Sequence, residues 1–313
     1  MAITSTDLSV NLNGLKLKSP IITASGTYGY SNEYDDFLNV KNLGAIVTKA
    51  ITLAPRNGNK GIRIMETSSG MINSIGLENM GIEAFLENVL PQLQTEKIEF
   101  ILNVAGSTVN EYIELAQICE QNKIKTIELN LSCPNVKEGC IEFGTNSTSL
   151  YALVKEIRKN FTGILITKLT PNVTAIEKIA VAAQNAGADI ISAINTVKAT
   201  GLNFNYTNGK FKFQKINGGL SGNAIKPVAL RAISTIKANV DIPIIGMGGI
   251  STLNDILEFV AIGADAIQIG TANFTNPEIA ETLTNQLANF ISDNKFNSFE
   301  ELKTKLREDI QNE

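Results

Sequence analysis

A thiol, two lysines and a scatter of asparagines carry the chemistry that this chain could perform. Residues 128–137 read E-L-N-L-S-C-P-N-V-K. Ile127, Leu129 and Leu131 alternate with Glu128, Asn130 and Ser132, the pattern of a strand with one apolar and one polar face. Cys133 falls just past that strand, Pro134 stops the ladder, and Asn130 and Asn135 flank the thiol. Such a thiol, at a strand mouth between neutral amides, suits proton transfer above a small polar ligand. The chain contains no histidine, so the usual acid/base for neutral pH is missing and Cys133 is the leading candidate.

Lys49 ends one predicted strand and Lys168 another. A lysine there is costly to bury unless it meets an anion or an electron-rich ring. The plainer reading is an ammonium that snorkels to water, and two lysines in equivalent places weaken it. Glycine-rich turns occur at 246–250 (G-M-G-G-I), 269–273 (I-G-T-A-N) and 218–222 (G-G-L-S-G). Backbone amides of Gly248, Gly249, Gly270 and Thr271 could converge on a phosphate, although each turn alone could simply be tight. No G-x-G-x-x-G follows a strand, so a single phosphate with a lysine near its ring system suits FMN better than a dinucleotide. Asn73, Asn103, Asn130, Asn135 and Asn195 sit at further strand ends and loops. Each alone suits a turn; together they would line a pocket for an amide-rich ring such as a pyrimidine.

The elements that must position these groups are legible as a repeat. Short apolar runs at 21–24, 45–49, 100–104, 126–131, 164–169, 190–194, 242–246 and 266–270 read as strands. Between them lie amphipathic stretches, such as Ile176, Ile179, Ala180 and Ala183, or Ala229, Ile233 and Ile236. Ser298 and Glu301 form a capping-box pattern ahead of Leu302, Leu306 and Ile310. Eight such strands alternating with helices predict parallel pairing and a single (β/α)8 TIM-barrel domain over residues 1–313; an open doubly wound sheet is the alternative. Polar residues at the strand ends favour the barrel. A net charge of −4 with 19% charged residues gives no basic face for nucleic acid. No run reaches the roughly 18–20 apolar residues of a membrane span, and the N-terminus lacks a signal-peptide pattern, so a cytoplasmic location is expected. The three cysteines are neither a disulfide framework nor the usual four ligands of an iron–sulfur cluster, and no metal site is expected. Cys119 reads as a core residue of a helix over 111–121; Cys140 is a bystander or a redox partner of Cys133.

Taken together, N-L-S-C-P-N-V-K, A-S-G at 24–26, T-K-A at 48–50, N-S-I-G-L at 73–77, N-V-A-G at 103–106, I-N-T at 194–196, G-G-L-S-G-x-A-I-K-P and I-I-G-M-G-G-I resemble class 1 dihydroorotate dehydrogenase. The match runs from the first strand to the C-terminal helix. The resemblance implies an FMN barrel that oxidises dihydroorotate to orotate in pyrimidine synthesis. Cys133 would take a proton from substrate C5 while hydride leaves C6 for flavin N5. Lys49, Asn73, Ser74, Ile75, Gly76, Leu77, Asn130, Asn135, Asn195 and Thr196 would hold the substrate. Ser25, Lys49, Ala50, Asn103, Asn130, Ile194 and Gly222 would contact the flavin. Lys168 would lie at its N1/O2 edge and stabilise the reduced anion, and Gly248, Gly249, Gly270 and Thr271 would hold its phosphate. The loop V-K-E-G-C-I-E-F-G-T at 136–145 resembles the NAD-linked class 1B form, with Cys140 replacing a glycine of its usual V-K-x-G-G. That form implies a partner subunit carrying FAD and a [2Fe–2S] cluster, in a heterotetramer of two catalytic and two electron-transfer chains. A fumarate-linked class 1A enzyme and a related pyrimidine-ring reductase are the alternatives.

Overall fold

The computed structural model describes residues 6–30, 43–131, 143–207 and 209–311. The chain opens with a hairpin, β1 (Val10–Leu12) and β2 (Leu15–Leu17), whose Val10, Leu12, Leu15 and Leu17 are buried while the residues between them face water. Asn13 and Gly14 turn it with φ of 47° and 101°, the backbone that two-residue hairpin loops demand. Asn13 Nδ2 donates to the carbonyl of Asp189 at 2.9 Å, just ahead of a barrel strand, so the hairpin covers the end of the barrel where the strands begin.

Eight parallel strands then follow in chain order. They are β3 (Ile21–Thr23), β4 (Ile46–Val47), β7 (Phe100–Val104), β8 (Thr126–Asn130), β9 (Ile164–Leu169), β10 (Ile190–Ala193), β13 (Ile244–Met247) and β14 (Ala266–Ile269). They pair in the order β3-β14-β13-β10-β9-β8-β7-β4. The amide of Gly44 donates to the carbonyl of Ile21 at 3.0 Å, and that of Thr23 to Ala45 at 3.3 Å, which closes the sheet on itself. All eight predicted strands are present, most a residue or two shorter than the apolar runs that announce them. The seventh runs one residue further than its pattern, to Met247.

Crossover helices surround the barrel: α1 (Ile82–Asn88) and α2 (Leu90–Thr95) before β7, α3 (Val109–Gln121) before β8, α4 (Ser147–Asn160) before β9 and α5 (Ile176–Asn185) before β10. After them come α6 (Lys226–Lys237), α7 (Leu253–Ala261), α8 (Ala272–Thr275), α9 (Ile279–Asp293) and α10 (Phe299–Gln311). Ile179, Ala180 and Ala183 of α5, and Ala229, Ile233 and Ile236 of α6, face the core as their spacing predicts. In the predicted capping box of α10, Ser298 Oγ accepts from the amide of Glu301 at 3.2 Å. The Glu301 carboxylate turns instead to the amide and side chain of Asn297, which satisfies the same unpaired helix end from one residue earlier. Leu302 is buried, whereas Ile310 at the far end of α10 is exposed. No helix among the described residues is long and apolar enough to cross a membrane.

A second sheet, absent from the sequence expectations, crosses the end of the barrel where the strands finish. It consists of β5 (Ile64–Thr67), β6 (Gly70–Asn73), β11 (Val197–Thr207) and β12 (Lys210–Ser221), antiparallel in the order β11-β12-β6-β5. β11 and β12 form one long hairpin inserted between β10 and α6. Only the near end of β12 reaches β6, through Gly219, Leu220 and Ser221.

Candidate active site

The barrel interior carries a polar layer that the strand register makes unavoidable. Glu128 lies opposite Asn103 across β7 and β8, Asn130 opposite Lys168 across β8 and β9, and Lys168 opposite Ser192 across β9 and β10. Period-two alternation then sends Glu128 and Asn130 to the same face. Glu128 is fully buried, as are Asn103, Ser192 and Gln268. Its Oε1 accepts from Asn103 Nδ2 at 2.7 Å; its Oε2 accepts from Ser192 Oγ at 2.7 Å and Gln268 Nε2 at 2.9 Å. The Lys168 ammonium stands 3.6 Å from Oε1. A buried carboxylate is tolerated only with such company, since desolvation otherwise outweighs any single contact.

Above that layer a cavity of about 860 Å³ opens between the strand ends and the second sheet. The structure brings to its wall nearly every site residue expected from the sequence. Ser25, Lys49, Ala50, Asn130, Lys168, Ile194, Asn195 and Thr196 come from the ends of β3, β4, β8, β9 and β10. Asn73 ends β6 and is followed by Ser74, Ile75, Gly76 and Leu77; Gly222, Gly248, Gly249, Gly270 and Thr271 come from the late turns. Asn103 does not reach the wall, because its amide is committed to Glu128 below. Cys133, Asn135 and Cys140 lie outside the described residues.

Neutral amides hold one another in place around the floor of the cavity. Tyr112 Oη donates to the carbonyl of Asn130 at 2.7 Å and fixes the end of β8. Asn195 Nδ2 donates to Asn130 Oδ1 at 3.3 Å, while Asn195 Oδ1 accepts from the amide of Thr196 at 2.8 Å. Asn172 adds to this group, donating to the Thr196 carbonyl at 3.0 Å. From the second sheet Asn73 Nδ2 donates to the carbonyl of Gly219 at 3.3 Å. Asn59 Nδ2 bonds both the carbonyl and the hydroxyl of Ser74 at 3.0 Å, which pins the loop behind Asn73.

Charge enters from two sides. Lys49 lies 3.6 Å from Glu78, which also meets Arg63 at 3.1 Å. The Arg63 hydrogen bond, followed by the charges of Lys49 and Arg63, holds the Glu78 carboxyl below its ordinary range. Lys49 thus stands where a ligand carboxylate would find a cation. Lys168, 5% exposed, presents the second cation from the barrel interior.

The late turns form a cradle for which FMN phosphate is a fitting occupant. Gly222, Gly248 and Gly249 have φ of 91°, 127° and 77°, a region that side chains disfavour. A Cβ at Gly249 would stand 2.9 Å from the Gly222 carbonyl, and one at Gly248 2.8 Å from Ala229 Cβ. Thr271 Oγ1 donates to Ser221 Oγ at 2.8 Å and ties the turn after β14 to the second sheet. The cradle, a cation at a buried wall and a floor of amides match the phosphate, the electron-rich ring and the pyrimidine edge of a flavin with its substrate.

Sequence reasoning missed Glu128, Ser192 and Gln268 as a buried set, and Arg63, Glu78 and Asn172 at the rim. Glu128 had a signal: it stands two residues before Asn130 in the same strand, so any register that puts Asn130 in the site puts Glu128 inside the barrel.

Comparison with known proteins agrees with this geometry. The model of the dihydroorotate dehydrogenase family matches residues 7–291. Proteins named dihydroorotate dehydrogenase B (NAD(+)), catalytic subunit, resemble the chain over nearly its whole length. The one from Geotalea uraniireducens is 44% identical over 297 residues, 95% of this chain and 97% of its own. That from Bacteroides thetaiotaomicron is 42% identical with the same coverage. The Thermoanaerobacter sp. (strain X514) protein is 45% identical over 271 residues, 87% of this chain and 89% of its own.

Proposed function

The chain belongs to the dihydroorotate dehydrogenase family, and from that premise we propose that it is the catalytic subunit of an NAD-linked enzyme oxidising dihydroorotate to orotate in pyrimidine synthesis. The observation that carries this reading is one cavity shared by Lys49, Asn73, Asn130, Asn195, Thr196, Lys168 and the glycine cradle. A substrate with a carboxylate and a ring of two amides is complementary to that set: Lys49 for the carboxylate, the asparagines for the ring edges.

FMN, when bound, supplies the acceptor for the two electrons that leave substrate C6. Gly222, Gly248, Gly249, Gly270 and Thr271 would hold its phosphate, with Ser25, Ala50 and Ile194 along its length and Lys168 beside its ring; Asn103, below the wall, would act only through Glu128. Cys133 and Asn135 come next in the sequence after the strand that delivers Asn130 to the cavity, and Cys133 would take the proton from C5. The asparagines hold the ring so that the C5 proton and the C6 hydrogen face opposite sides, which makes a single base sufficient.

Onward transfer to NAD needs a second subunit, which we assign FAD and a [2Fe–2S] cluster in a heterotetramer of two chains of each kind. Three cysteines and the lack of a dinucleotide fingerprint in this chain support that division of labour. The catalytic chain is proposed to work as one domain in the cytoplasm.

Anaerobic mixing with dihydroorotate tests the reading. The purified chain should carry FMN and bleach on mixing, faster as pH rises toward about 8.5, where a free thiol ionises. Cys133→Ala should keep the flavin yet bleach by about a hundredfold or more slower, the scale of losing a general base. Unchanged bleaching in that variant removes Cys133 from the reaction; no bleaching of the loaded wild type removes dihydroorotate as substrate.

A further inference from the structure

We propose that Glu128 is a positioning residue that keeps Lys168 charged at the cavity wall before electrons arrive, so that reducing the bound flavin draws one proton from solution instead of two. The proposal rests on FMN being the occupant of the cavity. An ammonium as deeply buried as Lys168 stays ionised only beside an anion, because burial alone favours the neutral amine.

Glu128 supplies that anion from a place no ligand can reach. It is fully buried, and its two oxygens are fixed by Asn103, Ser192 and Gln268, drawn from three different strands. These three donors are neutral, so Lys168 is the cation that balances the carboxylate. At 3.6 Å the two form an ion pair longer than a hydrogen bond. Glu128 therefore contributes charge without using the donors of the ammonium, which remain for the ligand. The other charged residues described on the cavity wall are Lys49, Glu78 and Lys198, and Lys49 already has Glu78 beside it. The strands facing the Glu128–Lys168 pair present Asn103, Ser192 and Gln268, none of which titrates.

In the wild type Lys168 would already carry its proton when a bound flavin takes up two electrons, so the one proton drawn in would be the flavin's own. In Glu128→Gln the lysine lacks its counter-ion and sits as the neutral amine while the flavin is oxidised. Reduction of the bound flavin would then draw a second proton, onto Lys168.

An equilibrium redox titration tests this without dihydroorotate. FMN-loaded protein is reduced electrochemically through mediator dyes at a series of pH values from about 7 to 9, so that no sacrificial donor releases protons, and the fall of the flavin midpoint potential with pH counts the protons taken up per two electrons. The wild type should take up one proton per two electrons and E128Q close to two. A residue that merely packs the barrel would leave the count unchanged, so equal uptake in the two proteins overturns the proposal. If E128Q fails to fold, the wild type still decides: uptake should hold at one proton between about pH 7 and pH 9, and a climb toward two within that window overturns it. A wild type that takes up no FMN defeats the flavin assignment first, and this proposal with it.

Discussion

Cys119 shows how far an address decides what a residue can do. Cys119 sits on the inner face of α3 with no exposed surface, as its place in an amphipathic helix predicts. Burial pushes its thiol up to about 12, so it stays protonated and unreactive through the neutral range. At about pH 8, where an exposed thiol is partly ionised, iodoacetamide should leave Cys119 of the native protein unlabelled and modify it only after unfolding. Peptide mass spectrometry reads this directly, and rapid native labelling of Cys119 would contradict its burial. Any loss of flavin reduction on alkylating the native enzyme then points to Cys133 or Cys140. Among the described residues, those with an unusual type for their place were the most legible: strand-end lysines and clustered amides. Glu128 was harder to see, because an acidic residue on the polar face of a strand looks solvated until the sheet closes and turns that face inward.

Among the elements, the barrel was legible because each of its strands is a short apolar run returned by an amphipathic helix, and that period repeats eight times. The second sheet was not, for the opposite reason. In β11 and β12 the residues that alternate are Asn, Phe, Tyr and Lys, and Leu202, Phe204, Tyr206 and Phe213 face outward, so no buried face marks the strands. The N-terminal hairpin does carry a signal, alternation around Asn13–Gly14, but it is short and stands outside the eightfold repeat. What the second sheet contributes to the site depends on Gly219, where β12 passes over Thr196. A Cβ there would fall 2.0 Å from Thr196 Oγ1, so Gly219→Ala must displace either the strand or the threonine. The expected result is orotate affinity weaker by roughly tenfold or more, the scale of losing one good polar contact. Thermal unfolding should move by only a few degrees, since the barrel below is untouched. Flavin difference spectra and a melting curve separate these effects. Unchanged orotate binding would mean that the sheet roofs the cavity without shaping it.

At the scale of the whole molecule, the outer helices are tied together by charge on the flank that supports the cradle. Lys226, first residue of α6, meets Asp255 of α7 at 2.6 Å and Glu258 at 2.9 Å. Asp255 also accepts from the amides of Ser251 and Thr252 at the start of α7, which completes a capping box with Thr252. Burial works to raise the Asp255 carboxyl, but the Lys226 ammonium and those backbone and hydroxyl donors outweigh it and hold the carboxyl below its ordinary range. A group depressed in the folded state stabilises it above the unfolded value, about 3.9 for an aspartate, and that contribution drains away as pH falls through the folded value. Lys226 is shifted upward, first by the Asp255 and then by the Glu258 hydrogen bond. Its contribution is present at neutral pH and is lost only as strongly alkaline conditions are reached. Urea midpoints should therefore be level through neutrality and fall below about pH 4. Asp255→Asn should be less stable than the wild type at pH 7 by about 1 kcal/mol or more, on the scale of a lost helix cap. It should also show a shallower acid limb, so that the two proteins converge as the wild-type carboxyl is protonated. Parallel limbs for the two proteins would place the acid sensitivity elsewhere. A midpoint of D255N equal to wild type at pH 7 would show that α6 and α7 hold the cradle by packing alone.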